Sequence, residues 1–211
     1  MKVLIVAGSV LDDYDIQYIA HNFKIYDYII AADRGYDHLI KVGAKPNVII
    51  GDLDSVKETL HTQIIKYNSE KDKTDLELSI LHALEKGATS IEILCGLSGE
   101  FDHEIANIFL LAKYPNLITY KSSKGNVTSI DKQSICLLLN GQVKTIVSII
   151  PFGKVNKLTI KGLKYSIQED VDFGTKTLRN EYLYNQTGEI SLENGIAIIY
   201  IASGVFLINK K

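Results

Sequence analysis

The sequence predicts an α/β protein in two parts, a parallel sheet with helices on both faces followed by an all-β sandwich. Three observations carry this. Up to about Pro115, continuous apolar, β-branched runs alternate with segments of helical periodicity. Beyond it the runs shorten, and turn dipeptides punctuate them. No segment with helical spacing survives in the second half.

In the first half the predicted strands are Val3–Ala7, Tyr28–Ala32, Val48–Ile50 and Ile91–Cys95. Between them apolar residues recur at three- and four-residue spacing: Ile16, Ile19 and Ala20; Leu76, Ile80, Leu81 and Leu84; Ile105, Ile108, Phe109 and Ala112. Apolar strands without alternation are buried on both faces, as parallel strands are when helices cover both sides of a sheet. This is a Rossmann-like arrangement. In the second half the β-rich segments are Ile118–Lys121, Ser134–Leu139, Thr145–Ile150, Lys157–Ile160, Glu189–Leu192 and Ala197–Ile201. Asn140-Gly141, Phe152-Gly153, Lys161-Gly162 and Asn194-Gly195 supply turns. The predicted domains are residues 1–118 and 122–211.

Composition excludes several classes. Of 211 residues 46% are hydrophobic and 23% charged, which is globular composition. No apolar run reaches the roughly 18 residues of a membrane span. The N-terminal run breaks at Asp12, Asp13 and Asp15, too soon for a signal sequence, and reads as a buried first strand. Cys95 and Cys136 lie in apolar segments and read as buried small hydrophobes. A cytoplasmic protein is expected, without membrane contact. The formal charge of −2 argues against a nucleic-acid surface.

The polar chemistry gathers where first-half strands end. Tyr28–Ala32 runs into Asp33-Arg34-Gly35, and Val48–Ile50 into Gly51-Asp52-Leu53-Asp54-Ser55. Ile91–Cys95 runs into a loop through Gly99, Glu100, Asp102 and His103, and Lys71-Asp72-Lys73-Thr74-Asp75-Leu76-Glu77 opens a helix. Loops at the carboxyl ends of parallel strands converge on one crevice. Helix capping accounts for part of this: Ser55 with Glu58 and Thr74 with Glu77 fit the capping box, and Asp102 fits an N-cap. Capping does not account for Asp33, Asp52, Asp54 and Asp75 together. Carboxylates gathered in one crevice repel by about 4 kcal/mol per pair at 4 Å. A divalent cation removes that cost, and Mg²⁺ accepts carboxylate and phosphate oxygens. Lys71, Lys73 and Arg34 add phosphate-binding charge. The loops therefore predict Mg²⁺ and a polyphosphate. The P-loop, the dinucleotide G-x-G-x-x-G and the G-x-S-x-G elbow are absent. His21, His38 and His82 read as surface or packing residues.

In order, the blocks Ala32-Asp33-Arg34-Gly35, Gly51-Asp52-Leu53-Asp54-Ser55, Lys71 to Glu77, and Gly99-Glu100-Phe101-Asp102-His103 with Asn107 resemble those of bacterial-type thiamine pyrophosphokinases. Ser148 to Phe152, Lys161 to Tyr165 and Asn180-Glu181 extend the resemblance over nearly the whole chain. The resemblance implies a homodimer, with an α/β catalytic domain and a β-sandwich that binds thiamine and dimerises. It implies transfer of pyrophosphate from ATP to the hydroxyl of thiamine, giving thiamine diphosphate and AMP. By motif match Asp52, Asp54 and Asp75 are metal ligands and catalytic, and Asp102 is a further catalytic candidate. Asp33, Ser55, Lys71, Asp72, Thr74, His103 and Asn107 would serve ATP, and Arg179 and Asn180 thiamine. Two departures stand out. Glu100 occupies a position where the family carries a basic residue, with Ser98 for a glycine beside it, and Arg179 replaces a serine. Glu100 is expected to pair with a cation such as Lys71, Lys73 or Arg179. Other acceptors, nucleotide hydrolysis on the same scaffold, and a weakened nucleotide- or thiamine-binding module are the alternatives.

Overall fold

The computed structural model describes residues 1–52, 62–67, 72–139, 145–173, 177–182 and 186–211. Two compact units emerge, one of Met1–Leu110 with Thr119–Ser123, the other of Leu111–Ile118 with Lys124–Lys211. In the first unit β1 (Lys2–Val6), β2 (Tyr28–Ala32), β3 (Val48–Gly51), β4 (Gln63–Lys66), β5 (Ser90–Leu94) and β6 (Ile118–Ser122) lie in the order β6-β5-β1-β2-β3-β4. The pairs β1–β2, β1–β5, β2–β3 and β3–β4 are parallel. The helices are α1 (Asp13–Asn22), α2 (Gly35–Lys41), α3 (Asp75–Glu85) and α4 (Phe101–Lys113).

Burial explains the unbroken apolar strands. Leu4, Val6, Ala31 and Ile49 share one core with Ile19 of α1 and with Tyr36 and Leu39 of α2. The alternate residues Val3, Ile5 and Ile30 are equally buried, and α3 packs on β1, β2 and β3. The α/β class expected from the alternation is the class observed. The edge strand β4 escapes that pattern because it is largely exposed.

The second unit is antiparallel throughout its described pairings. One sheet holds β12 (Asn180–Tyr182), β9 (Thr145–Pro151), β14 (Ile196–Ile201) and β7 (Gly125–Asp131) in that order. The other holds β11 (Ile167–Val171), β10 (Val155–Lys161), β13 (Gly188–Ser191), β8 (Ser134–Leu138) and β15 (Phe206–Lys210). Ile130, Val147, Ile149 and Ile199 from the first meet Cys136, Leu138, Leu158 and Ile190 from the second in one core. That is a sandwich. At Gly162, whose φ is +69°, a Cβ would lie 2.0 Å from the Thr187 carbonyl oxygen, so the Lys161-Gly162 turn requires glycine.

One contact positions the site. Gly35 opens α2 directly against the end of β1, where a Cβ would lie 1.9 Å from the Val6 carbonyl oxygen. That atom is backbone in a central strand and cannot swing aside. Gly35→Ala should therefore cost about 2–4 kcal/mol of stability, read as a lower chemical-denaturation midpoint. A variant as stable as the parent would show that α2 shifts without cost.

Candidate functional site

The parallel register aligns the strand ends. Val6 pairs with Ala31 and with Leu94, and Ala32 pairs with Ile50. The chain leaving β1, β2, β3 and β5 therefore emerges on one edge, around a cleft of about 1140 Å³. Gly8 to Leu11 form the wall that follows β1, Asp33 and Arg34 the wall that follows β2, and Asp52 follows β3. Asp72 to Leu76 enter from the start of α3, and Ser98, Gly99 and Glu100 follow β5, with His103 and Asn107 from α4.

Local backbone chemistry sets each acid. Asp33 holds a left-handed conformation with φ of +48°, tolerated better by aspartate than by most residues. Its N–H donates to the Ile50 carbonyl at 2.8 Å, tying the end of β2 to β3. Gly51 makes room for this turn, since a Cβ there would sit 3.2 Å from the Asp33 Cα. Thr74 caps α3 by accepting from the Glu77 N–H at 3.2 Å, which makes Asp75 the first helical residue. A carboxylate there also meets the positive end of the helix dipole.

The β5 exit is held from behind. Asn107 is buried and donates from Nδ2 to the Gly96 carbonyl at 2.8 Å, while the Tyr120 hydroxyl donates to the Asn107 carbonyl at 2.8 Å. Cys95, just before Gly96, also has positive φ, at +54°. Burial and the neighbouring Asp15 push its thiol far up, so it is an inert packing group. Asp15 itself is pushed up to about 6, chiefly by burial.

Of the residues expected to act, Asp33, Asp52, Asp72, Thr74, Asp75, His103 and Asn107 line this cleft. Asp54, Ser55 and Lys71 lie outside the described residues. Asp102 is not a wall residue. It sits in the first turn of α4, its Oδ1 accepting from the His103 N–H at 2.9 Å. Glu100 rather than Asp102 takes the capping position, its carbonyl accepting from the Glu104 N–H at 2.9 Å. Candidate ligand atoms of Glu100, Asp102 and His103 lie within 4.8 Å of one another, all three residues being exposed.

Sequence reasoning did not find the Gly8–Leu11 wall, nor His38 and Lys41, which also line the cleft. The available signal was Ala7-Gly8-Ser9 at the carboxyl end of the first strand. His38 is half-buried; burial lowers its pKa, and Arg34 and Lys41 act in the same direction.

In the second unit three distant sequence blocks converge. The Asn180 side chain is buried, its Oδ1 accepting from the Tyr165 N–H at 3.0 Å and its Nδ2 donating to the Tyr165 carbonyl at 2.7 Å. Arg179, with φ of +55°, donates its N–H to Ser148 Oγ at 2.9 Å. Lys164 pairs with Glu181 at 3.3 Å. Asn180 thus sets the local backbone, and Arg179 is exposed beside it.

Fold and site define an α/β protein with a polar crevice at the carboxyl edge of its parallel sheet and an antiparallel sandwich as a second unit. Residues 19–122 match the model of the thiamin pyrophosphokinase catalytic domain, and residues 133–197 that of the thiamin pyrophosphokinase vitamin B1 binding domain. A thiamine pyrophosphokinase of Bacillus subtilis is 32% identical over 189 residues, 81% of this chain and 85% of its own. A Caenorhabditis elegans relative is 28% identical over 199 residues, 82% and 77% of the two chains. A crystal structure of the thiamine pyrophosphokinase from Bacillus subtilis superposes with a TM-score of 0.81 at 26% identity, over 97% of this chain and 100% of that one. The Candida albicans structure, at 15% identity and a TM-score of 0.73 over 95% and 88%, shares the fold. The chain belongs to the thiamine pyrophosphokinase family.

Glu100 stands exposed on the cleft wall and makes no ion pair with a described residue. Beside a polyphosphate its charge repels. Glu100→Gln should lower the KM for ATP about two- to fivefold at low ionic strength and by less at high salt, because salt screens exposed charge. A higher KM in the variant would show that Glu100 pairs with a cation instead.

Proposed function

We propose that this protein transfers the terminal pyrophosphoryl group of ATP to the hydroxyl of thiamine, releasing thiamine diphosphate and AMP. The observation that carries the reading is the acidic cleft at the strand ends of the first unit, in a chain whose two halves match the catalytic and vitamin-binding models of one family. The hydroxyl oxygen attacks the β-phosphorus of ATP, and the bond from that phosphorus to the α–β bridging oxygen breaks. AMP departs with that oxygen, and the hydroxyl proton passes to a basic group of the site. Positioning and charge neutralisation supply most of the acceleration in such transfers.

The donor set fits Mg²⁺. Asp52 and Asp75 bring carboxylates from two separate elements to one cleft, with Asp33 beside them, and carboxylate oxygens suit that ion. Asp52, Asp54 and Asp75 would hold it. When bound, Mg²⁺ neutralises phosphate charge. Lys71, Lys73 and Arg34 grip phosphate oxygens, with Ser55 and Thr74 donating hydroxyls; Asp72 and His103 complete the ATP side. Asn107 keeps the β5 exit in place through Gly96. Asp33 is assigned to orienting the attacking hydroxyl; Asp102, off the cleft wall, is assigned to the start of α4, where it accepts from the His103 N–H. Arg179 faces thiamine, and Asn180 shapes its surroundings through the Tyr165 backbone.

Two further points belong to the same reading. Phe173, Leu178 and Tyr165 of the second unit are 73%, 63% and 58% exposed. Large apolar side chains left in water suit a covered surface, and a two-fold homodimer is proposed. No helix among the described residues is long and apolar enough to cross a membrane, and both cysteines are free and buried. These features support work in the cytoplasm.

Asp52→Asn, Asp54→Asn and Asp75→Asn should each lower kcat/KM about 100- to 1000-fold while thermal unfolding stays near the parent value. In the parent, AMP should form only when thiamine is present. ADP as the product, AMP without thiamine, or full turnover in all three variants at limiting Mg²⁺ would overturn the assignment.

A further inference from the structure

The wall that follows β1 is held in an unusual way. Among the described residues, Ser9 and Val10 make no backbone-to-backbone hydrogen bond. Their two carbonyls are instead taken up by side chains from opposite sides. His38 of α2 donates from Nε2 to the Ser9 carbonyl at 2.7 Å. Ser98, leaving β5, donates from Oγ to the Val10 carbonyl at 2.8 Å. Gly99 closes against the same turn, where a Cβ would lie 2.7 Å from Ser9 Oγ. Ser9, Val10, His38, Ser98 and Gly99 all line the cleft.

We propose that His38 and Ser98 are positioning residues for the triphosphate: by engaging the consecutive carbonyls of Ser9 and Val10, they fix the Gly8–Leu11 loop as a wall of the nucleotide cleft. This rests on the ATP reading above. A carbonyl oxygen carries partial negative charge and repels phosphate oxygens, so an unengaged acceptor turned into the cleft weakens a polyanion's binding. Each clasp occupies one acceptor. Together they also tie the loop after β1 to helix α2 on one side and to the loop after β5 on the other, so the wall needs no ordering when the nucleotide arrives. Val10 is 65% exposed and contributes little packing of its own, so the Ser9–Val10 turn leans on these two bonds, while Leu11 beyond it packs against the core.

The contribution is to binding rather than to the chemical step, and that sets the signature. Loss of one uncharged hydrogen bond changes an equilibrium roughly two- to tenfold. Ser98→Ala and His38→Ala should weaken ATP binding by that factor, measured by calorimetry with magnesium chloride present. The KM for ATP should rise in parallel, while kcat and the KM for thiamine stay near the parent values. Ser98→Thr keeps a hydroxyl and His38→Gln keeps a donor near Nε2, and each should recover most of the affinity. Unchanged ATP affinity in Ser98→Ala overturns the proposal, as does a fall in kcat without a rise in the KM for ATP. Failure of the threonine and glutamine variants to recover affinity also overturns it. Should His38→Ala not fold, the Ser98→Ala and Ser98→Thr pair decides, because Ser98 is partly exposed and its loss leaves no cavity. A parent protein that binds no ATP refutes the functional reading, whereas parent and variants that bind ATP equally refute only the clasp.

Discussion

The close approach of Gly35 to the Val6 carbonyl is the constraint on which the cleft depends. The parallel register ends β1, β2 and β5 at one level. It does not by itself bring the start of α2 onto that edge. Only a residue without a Cβ can open a helix against the last carbonyl of β1. Once it does, Asp33, Arg34 and His38 are carried to the crevice along with the helix. Gly51 repeats the device one strand over, giving the Asp33 turn its space beside Asp52. Two missing side chains thus gather charged ones.

The gathered charges oppose one another, and the fold holds them there at a cost. Asp33 sits in the left-handed region, a conformation worth of order 1 kcal/mol against a non-glycine residue. Its N–H bond to Ile50 and the packed strands behind it keep it in place. Asp52, Asp72, Asp75 and Glu100 add to the acidic side, with Arg34, Lys41 and Lys73 interspersed. Such a mixture suits a ligand that carries both signs, a polyanion together with its cation. Beneath the cleft the structure is conventional: Asn107 and Tyr120 spend their polar groups on backbone, and Cys95 packs in the core.

Much of this was legible in the sequence, and what was missed has physical causes. Apolar β-branched runs located β1, β2, β3 and β5 because each is buried on both faces. The strand β7 escaped because its buried Thr128 and Ser129 are polar; each donates to a backbone carbonyl, of Ile118 and of Leu111. The strands β11 and β15 escaped as mostly exposed sheet edges. The acidic loops were readable because their residue types state their chemistry. The Gly8–Leu11 wall was not, because it presents small and apolar residues whose role comes from His38 and Ser98, far off in sequence. Asn180 stood out by resemblance, yet its amide is spent on Tyr165, a pairing that only the fold reveals.

Backbone hydrogen exchange with and without ATP and magnesium tests the central claim most directly, that the strand-end loops of the first unit hold the triphosphate. Slowed exchange in the loops that follow β1, β2, β3 and β5 and at the start of α3, with β8, β10 and β13 unchanged, is the predicted result. Protection only in the second unit, or none at saturating ATP, would contradict it.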